Sequence, residues 1–199
     1  FINLTDIDVG LDFGKATPAA GAWAVKSLQR AMEDLQAGLI DVLVTAPFNK
    51  STVQGPDFNF PGHTEFLAER TNSKDFLMLL VSENLRVGTV TGHVPIQQVA
   101  GLLSTEKILS KLKVMNQSLL QDFGIRKPRI AVLGLNPHAG DSGLIGNEEN
   151  QIIIPAINQA NNEGILAFGP YSADGFFGSG TWKKFDAVMA MYHDQGLVP

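Results

Sequence analysis

Apolar residues fall in two rhythms along this 199-residue chain. Short, nearly continuous runs form one set: "LIDVLVTAP" (39–47), "DFLMLLVS" (75–82), "LRVGTVTG" (85–92), "RIAVLGLNP" (129–137), "GILAFGPYS" (164–172) and "FDAVMAMY" (185–192). Runs of this length without strict alternation suit strands covered on both faces. Longer segments with helical spacing lie between them. The segment 17–38 opens on Thr17-Pro18, a cap followed by proline in the first turn, and stops at Gly38. The segment 104–124 opens on Ser104 or Thr105 as cap and stops at Gly124. The segment 147–164 has acidic residues at its start and Gly164 past its end, and Pro155 should kink it.

The alternation predicts an α/β fold, with α/β/α layers around an open, largely parallel sheet. We read residues 1–199 as one incomplete catalytic α/β unit, truncated at both ends, with a subdomain hinge near 55–62, where glycine, proline and asparagine are dense. The chain starts on "FINLTDIDVG" without methionine and stops just after a strand at "GLVP".

Composition removes several function classes. The formal net charge is −5, and basic residues do not cluster beyond "KILSKLK" (107–113), whose spacing suits the wet side of a helix. No nucleic-acid or membrane partner is therefore expected. With no cysteine, disulfides and thiolate metal sites are excluded, and a cytoplasmic setting is the natural expectation.

The chemistry gathers at strand ends. Of the four histidines, His93, His138 and His193 each follow a predicted strand closely, in "TGHVP", "NPHAG" and "YHDQG". In open α/β sheets, ligands bind beyond the carboxyl ends of the strands, and parallel strands aim those ends the same way. A lone histidine after a strand is most often a surface or capping residue. Three in equivalent positions, in a histidine-poor chain, point instead to a divalent transition metal with positions left open for substrate. Without thiolates, Zn, Co, Ni, Mn and Fe all remain candidates. Asp194 would orient a ligand imidazole or carry a proton. Asn136 and Gly140 flank His138, and the glycine-rich 140–143 stretch reads either as anion-accessible backbone or as a plain turn.

Further candidates follow the other predicted ends. Lys50 closes "TAPFNK", where it could hold a carboxylate or phosphate, although a solvated lysine is the commoner case. His63 and Thr64 open a helix in "PGHTEFLAE", whose free amides favour anions; Thr64 could equally be its N-cap. Asp174 in "YSADGFF" reads as a helix cap or a site carboxylate.

Taken together and in order, "TAPFNK", "FPGHTEFLAE", "VTGHVP", "GLNPHAGDSGLIGNEE", "GPYSADGFF" and "MYHDQGLVP" resemble the 4-hydroxythreonine-4-phosphate dehydrogenase family of pyridoxal phosphate biosynthesis. The resemblance runs from about Asp41 to Pro199. It implies an isocitrate/isopropylmalate dehydrogenase-like fold and a homodimer whose subunits share the site. It also implies a small phosphorylated substrate and NAD or NADP, bound without a GxGxxG loop. The metal, Zn, Co, Mg or Mn, would sit on His93, His138 and His193, with Asp174 and Asp194 nearby and His63 and Thr64 on the substrate. Lys50, Asp174 and Asp194 are the candidate proton carriers. The family's opening motif and its substrate-binding lysine, asparagine and arginine beyond "GLVP" are absent from this sequence. Two alternatives stand beside this reading: a paralogue acting on phosphothreonate or phosphoerythronate, and a three-histidine metal hydrolase.

Overall fold

The computed structural model describes residues 2–5, 10 and 12–199. They divide into two compact units, Phe1–Lys74 and Asp75–Pro199. Residues 55–62 lie inside the first unit, where Gly55 and Phe58 close a small antiparallel bridge.

The first unit is built on helix α1 (Pro18–Gln36). The Thr17 hydroxyl caps it by accepting from the Ala20 amide at 3.2 Å, and Pro18 loses nothing there because a first-turn amide has no helical partner. Val25, Leu28 and Met32 recur at helical spacing and form its buried stripe. That stripe packs with Val53 of the short helix α2 (Lys50–Val53), with Phe66 of α3 (His63–Arg70) and with Phe58. The run 39–47, expected as a strand, is not one. A strand exists only through a neighbour's hydrogen bonds, and no described residue of this unit offers a ladder to it. Val42 and Val44 accordingly stand exposed.

The second unit carries a five-stranded sheet in the order β1-β2-β5-β3-β4. The strands are β1 (Leu79–Val81), β2 (Arg86–Thr89), β3 (Arg129–Leu133), β4 (Leu166–Tyr171) and β5 (Ala187–Ala190). Only the β1–β2 pair is antiparallel; β2–β5, β5–β3 and β3–β4 are parallel. Helices α4 (Ile96–Leu102), α5 (Thr105–Gln121), α6 (Ile154–Asn162) and α7 (Ala173–Gly178) connect them, and α8 (His193–Leu197) follows β5.

Strand pleating sorts the core into two faces. Ile130, Val132, Ala187 and Met189 face α5 and α6 and meet Ile108, Leu112, Met115 and Ile157. The intervening residues Ala131, Leu133, Val188 and Ala190 face the opposite side, around Phe176 of α7. The layers are therefore α/β/α, as the apolar runs imply. The expected kink at Pro155 takes the form of a π-helical turn, Glu149–Ile153, which hands over to α6 one residue before that proline. Proline has no amide to donate, so it is tolerated in the first turn of the following helix.

Candidate active site

The sheet register explains which histidines meet. Thr89 pairs with Ala190, and beyond the strand ends the Thr91 amide donates to the Met191 carbonyl at 3.2 Å. The Thr91 hydroxyl, itself buried, donates to that carbonyl at 2.8 Å. His93 lies two residues past Thr91, and His193 two past Met191. Parallel strands carry matched offsets to matched places. The two imidazoles stand with ring centroids 5.1 Å apart and planes tilted by 44°. Nδ1 of His193 shares a hydrogen bond of 2.8 Å with Oδ1 of Asp194, so the nitrogen left over is Nε2.

His138 arrives by a different route. From His138 to Ser142 five successive residues are left-handed, with φ between 43° and 80°, and only Gly140 among them is a glycine. A left-handed non-glycine residue costs roughly 1–2 kcal/mol, so such a run needs outside support. Glu149 supplies it. The residue is 2% exposed, and its Oε1 accepts from the backbone amides of Leu135 at 2.8 Å and Asn136 at 2.7 Å. Its Oε2 accepts from the Asn136 side-chain amide at 3.0 Å, and Glu148 accepts from the same amide at 2.8 Å. A Cβ on Gly140 would lie 2.5 Å from Oε2 of Glu149, so the loop closes over the carboxylate only with glycine there.

Asp174, in the first turn of α7, is exposed and its carboxyl is held below the usual carboxylate range. The Ser172 hydroxyl contributes most, then the Gly175 amide, with a smaller contribution from the neighbouring His138. Thus the structure brings His93 beside His193, and sets Asp174 within electrostatic reach of His138. Among the described residues it forms no group of three or more His, Asp or Glu arranged to hold a metal ion. Two imidazoles with free nitrogens fit a divalent cation as part of its ligand set; the third does not join them within one chain.

The remaining candidates belong to the first unit. His63 stacks on Phe48, with centroids 4.0 Å apart and planes 24° from parallel. Burial pushes its pKa below the ordinary value. Gly62, not Thr64, occupies the N-cap of α3, which leaves the exposed Thr64 hydroxyl clear of capping. Lys50 is exposed at the start of α2, whose cap is the Asn49 side chain accepting from the Ser51 amide at 3.0 Å.

Glu149 and Gln195 are the residues that reading the sequence misses. Glu149 passes there for a wet first-turn acid. The signal available was the density of glycines at 140, 143 and 146, which marks a loop that must wrap closely around something.

A profile of the pyridoxal phosphate biosynthetic protein PdxA matches residues 2–199. The chain belongs to the PdxA family. It is 52% identical over 199 residues to a 4-hydroxythreonine-4-phosphate dehydrogenase of Bacteroides thetaiotaomicron, matching 100% of this chain and 55% of that protein. It is 42% identical over 202 residues to an Oceanobacillus iheyensis protein provisionally named a D-threonate 4-phosphate dehydrogenase, of which it spans 60%. The crystal structure of 4-hydroxythreonine-4-phosphate dehydrogenase from Klebsiella pneumoniae superposes with a TM-score of 0.86 at 37% identity. That match covers 96% of this chain and 57% of the other. This PdxA-family chain therefore spans a little over half the length of the relatives it matches. No helix among its described residues is long and apolar enough to cross a membrane.

Proposed function

We propose that this chain is part of a cytoplasmic, homodimeric, metal-dependent dehydrogenase. It oxidises and decarboxylates 4-phosphohydroxy-L-threonine to 3-amino-2-oxopropyl phosphate in pyridoxal phosphate biosynthesis. The observation that carries the reading is the His93–His193 pair, set at the carboxyl ends of two parallel strands in a PdxA-family sheet. The substrate's secondary hydroxyl loses its proton and its carbon loses hydride to NAD or NADP. The resulting β-keto acid releases carbon dioxide, leaving the amino ketone phosphate and reduced nicotinamide.

His93 and His193 would supply nitrogen donors to a divalent cation (Zn, Co, Mg or Mn), with His138 completing the set in a site shared between subunits. Such a cation, when bound, supplies charge stabilisation at the reacting oxygen. Asp194 holds Nδ1 of His193 and so would leave Nε2 for the cation. His63, Thr64 and Lys50 would bind the phosphate or carboxylate of the small phosphorylated substrate. Asp194, Asp174 and Lys50 would be the candidates to carry protons. The Ser172 hydroxyl and the Gly175 amide hold Asp174 in the carboxylate form.

The test is reduced-nicotinamide formation by the full-length protein with 4-phosphohydroxy-L-threonine and each metal. Turnover that needs metal and NAD or NADP supports the reading; binding of substrate without any nicotinamide reduction contradicts it. The Oceanobacillus relative favours one second reading, a dehydrogenase of phosphorylated four-carbon sugar acids. Threonate 4-phosphate and erythronate 4-phosphate in the same assay separate the two.

A further inference from the structure

Regular pairing between β3 and β5 ends at Val132↔Met189. The next rungs are made differently. The Gly134 amide turns away to donate to Tyr171 of β4 at 2.8 Å, and the Gly134 carbonyl accepts from Nε2 of Gln195 at 2.6 Å. The other end of the same side chain, Oε1, accepts from the Met191 amide at 2.7 Å. Gln195 thus replaces the missing ladder between the end of β5 and the end of β3. It can do so because a primary amide offers one acceptor and one donor on a stem of the right reach. Gly196 beside it fixes the helix closely: a Cβ there would lie 2.8 Å from Val87 Cγ1 and 3.0 Å from Ala190 Cβ. His193 lies two residues before Gln195, and His138 lies four beyond Gly134.

We infer that Gln195 is a positioning residue that sets the place of the His138 loop relative to His193 by bridging the Met191 amide and the Gly134 carbonyl. The inference rests on the proposed role of these histidines as metal donors, but its geometry does not need the metal. The amide touches neither imidazole. It acts by tying the two backbone segments that carry them.

The experiment uses the full-length protein and two Gln195 variants, with Leu112→Ala and His93→Ala beside them. Gln195→Leu removes both bonds. Gln195→Glu keeps the bond from the Met191 amide and loses only the one to the Gly134 carbonyl, where two acceptors then meet; with one bond kept, it is the second variant should Gln195→Leu fail to fold. Imidazole ¹H–¹⁵N spectra are recorded without metal, zinc affinity by chelator competition, and fold by thermal melting. Leu112→Ala, a core lesion within α5, serves as the control for mere loss of stability.

Both Gln195 variants should shift the His138 and His193 imidazole signals and weaken zinc about 10- to 100-fold, the range for residues that orient metal ligands. Leu112→Ala should lower the melting temperature and leave those signals in place. Unmoved imidazole signals in Gln195→Leu, or equal shifts in Leu112→Ala, would overturn the inference. Zinc affinity unchanged by His93→Ala would sink the metal reading instead, and the metal-free spectra would still decide the role of Gln195.

Discussion

Glu149 grips Asn136 twice: its carboxylate accepts from the Asn136 backbone amide and side-chain amide, and the adjacent Leu135 amide shares Oε1. This grip is what steadies the left-handed turn that presents His138. Glu149→Ala would leave the Leu135 and Asn136 amides without an acceptor. An unsatisfied buried donor costs about 1–3 kcal/mol, so the variant should lose a few kcal/mol in urea unfolding. Glu149→Gln should be milder, because its oxygen can still accept from both backbone amides while its new amine faces the Asn136 amine. If Glu149→Ala is as stable as the parent, the loop is held by something else.

A second prediction concerns packing in the first unit. Gly21 of α1 lies against α2, where a Cβ would fall 1.9 Å from the Thr52 carbonyl oxygen. Backbone cannot yield as a flexible side-chain tip does, so Gly21→Ala should cost about 1–3 kcal/mol or more. Gly101 of α4 is the contrast, since nothing lies within 4 Å of its Cβ position. Gly101→Ala should be neutral or stabilise by up to about 1 kcal/mol through helix propensity. Urea midpoints of the two variants check both signs.

A third follows from His63. Its pKa is lowered in the fold by burial, so the neutral ring is the form the folded state prefers. At pH above its unfolded value of about 6.5, both states carry the neutral ring and stability is unaffected. As pH falls below that value, the unfolded chain takes up the proton first and stability drops, until the folded ring titrates too. His63→Phe keeps a ring for Phe48 to stack on and should flatten this part of the stability–pH curve. An NMR titration of the His63 imidazole should give a midpoint below 6.5; a midpoint above it would contradict the burial argument.

How far the sequence discloses this molecule can be followed residue by residue. The strands through Ile130 and Val188 are readable because both faces are covered, and their runs are nearly continuous in apolar residues. The run 39–47 has the same composition, but composition does not say whether a partner strand is at hand. The caps show the same limit at smaller scale. Thr17 caps α1 as its Thr-Pro signature implies, whereas at α3 the cap falls one residue before His63, on Gly62, because no side-chain bond is made there. The meeting of His93 and His193 follows from strand-end placement, which a sequence displays. The separate course of His138 does not, since it depends on a left-handed turn folded around an acid eleven positions further on.

His93 and His193 would grip one divalent cation together. Metal analysis of the full-length protein, with His93→Ala and His193→Ala beside it, tests this most directly. The parent should hold stoichiometric metal and both variants should lose it, with circular dichroism and melting behaviour retained. Full metal content in either folded variant would contradict it.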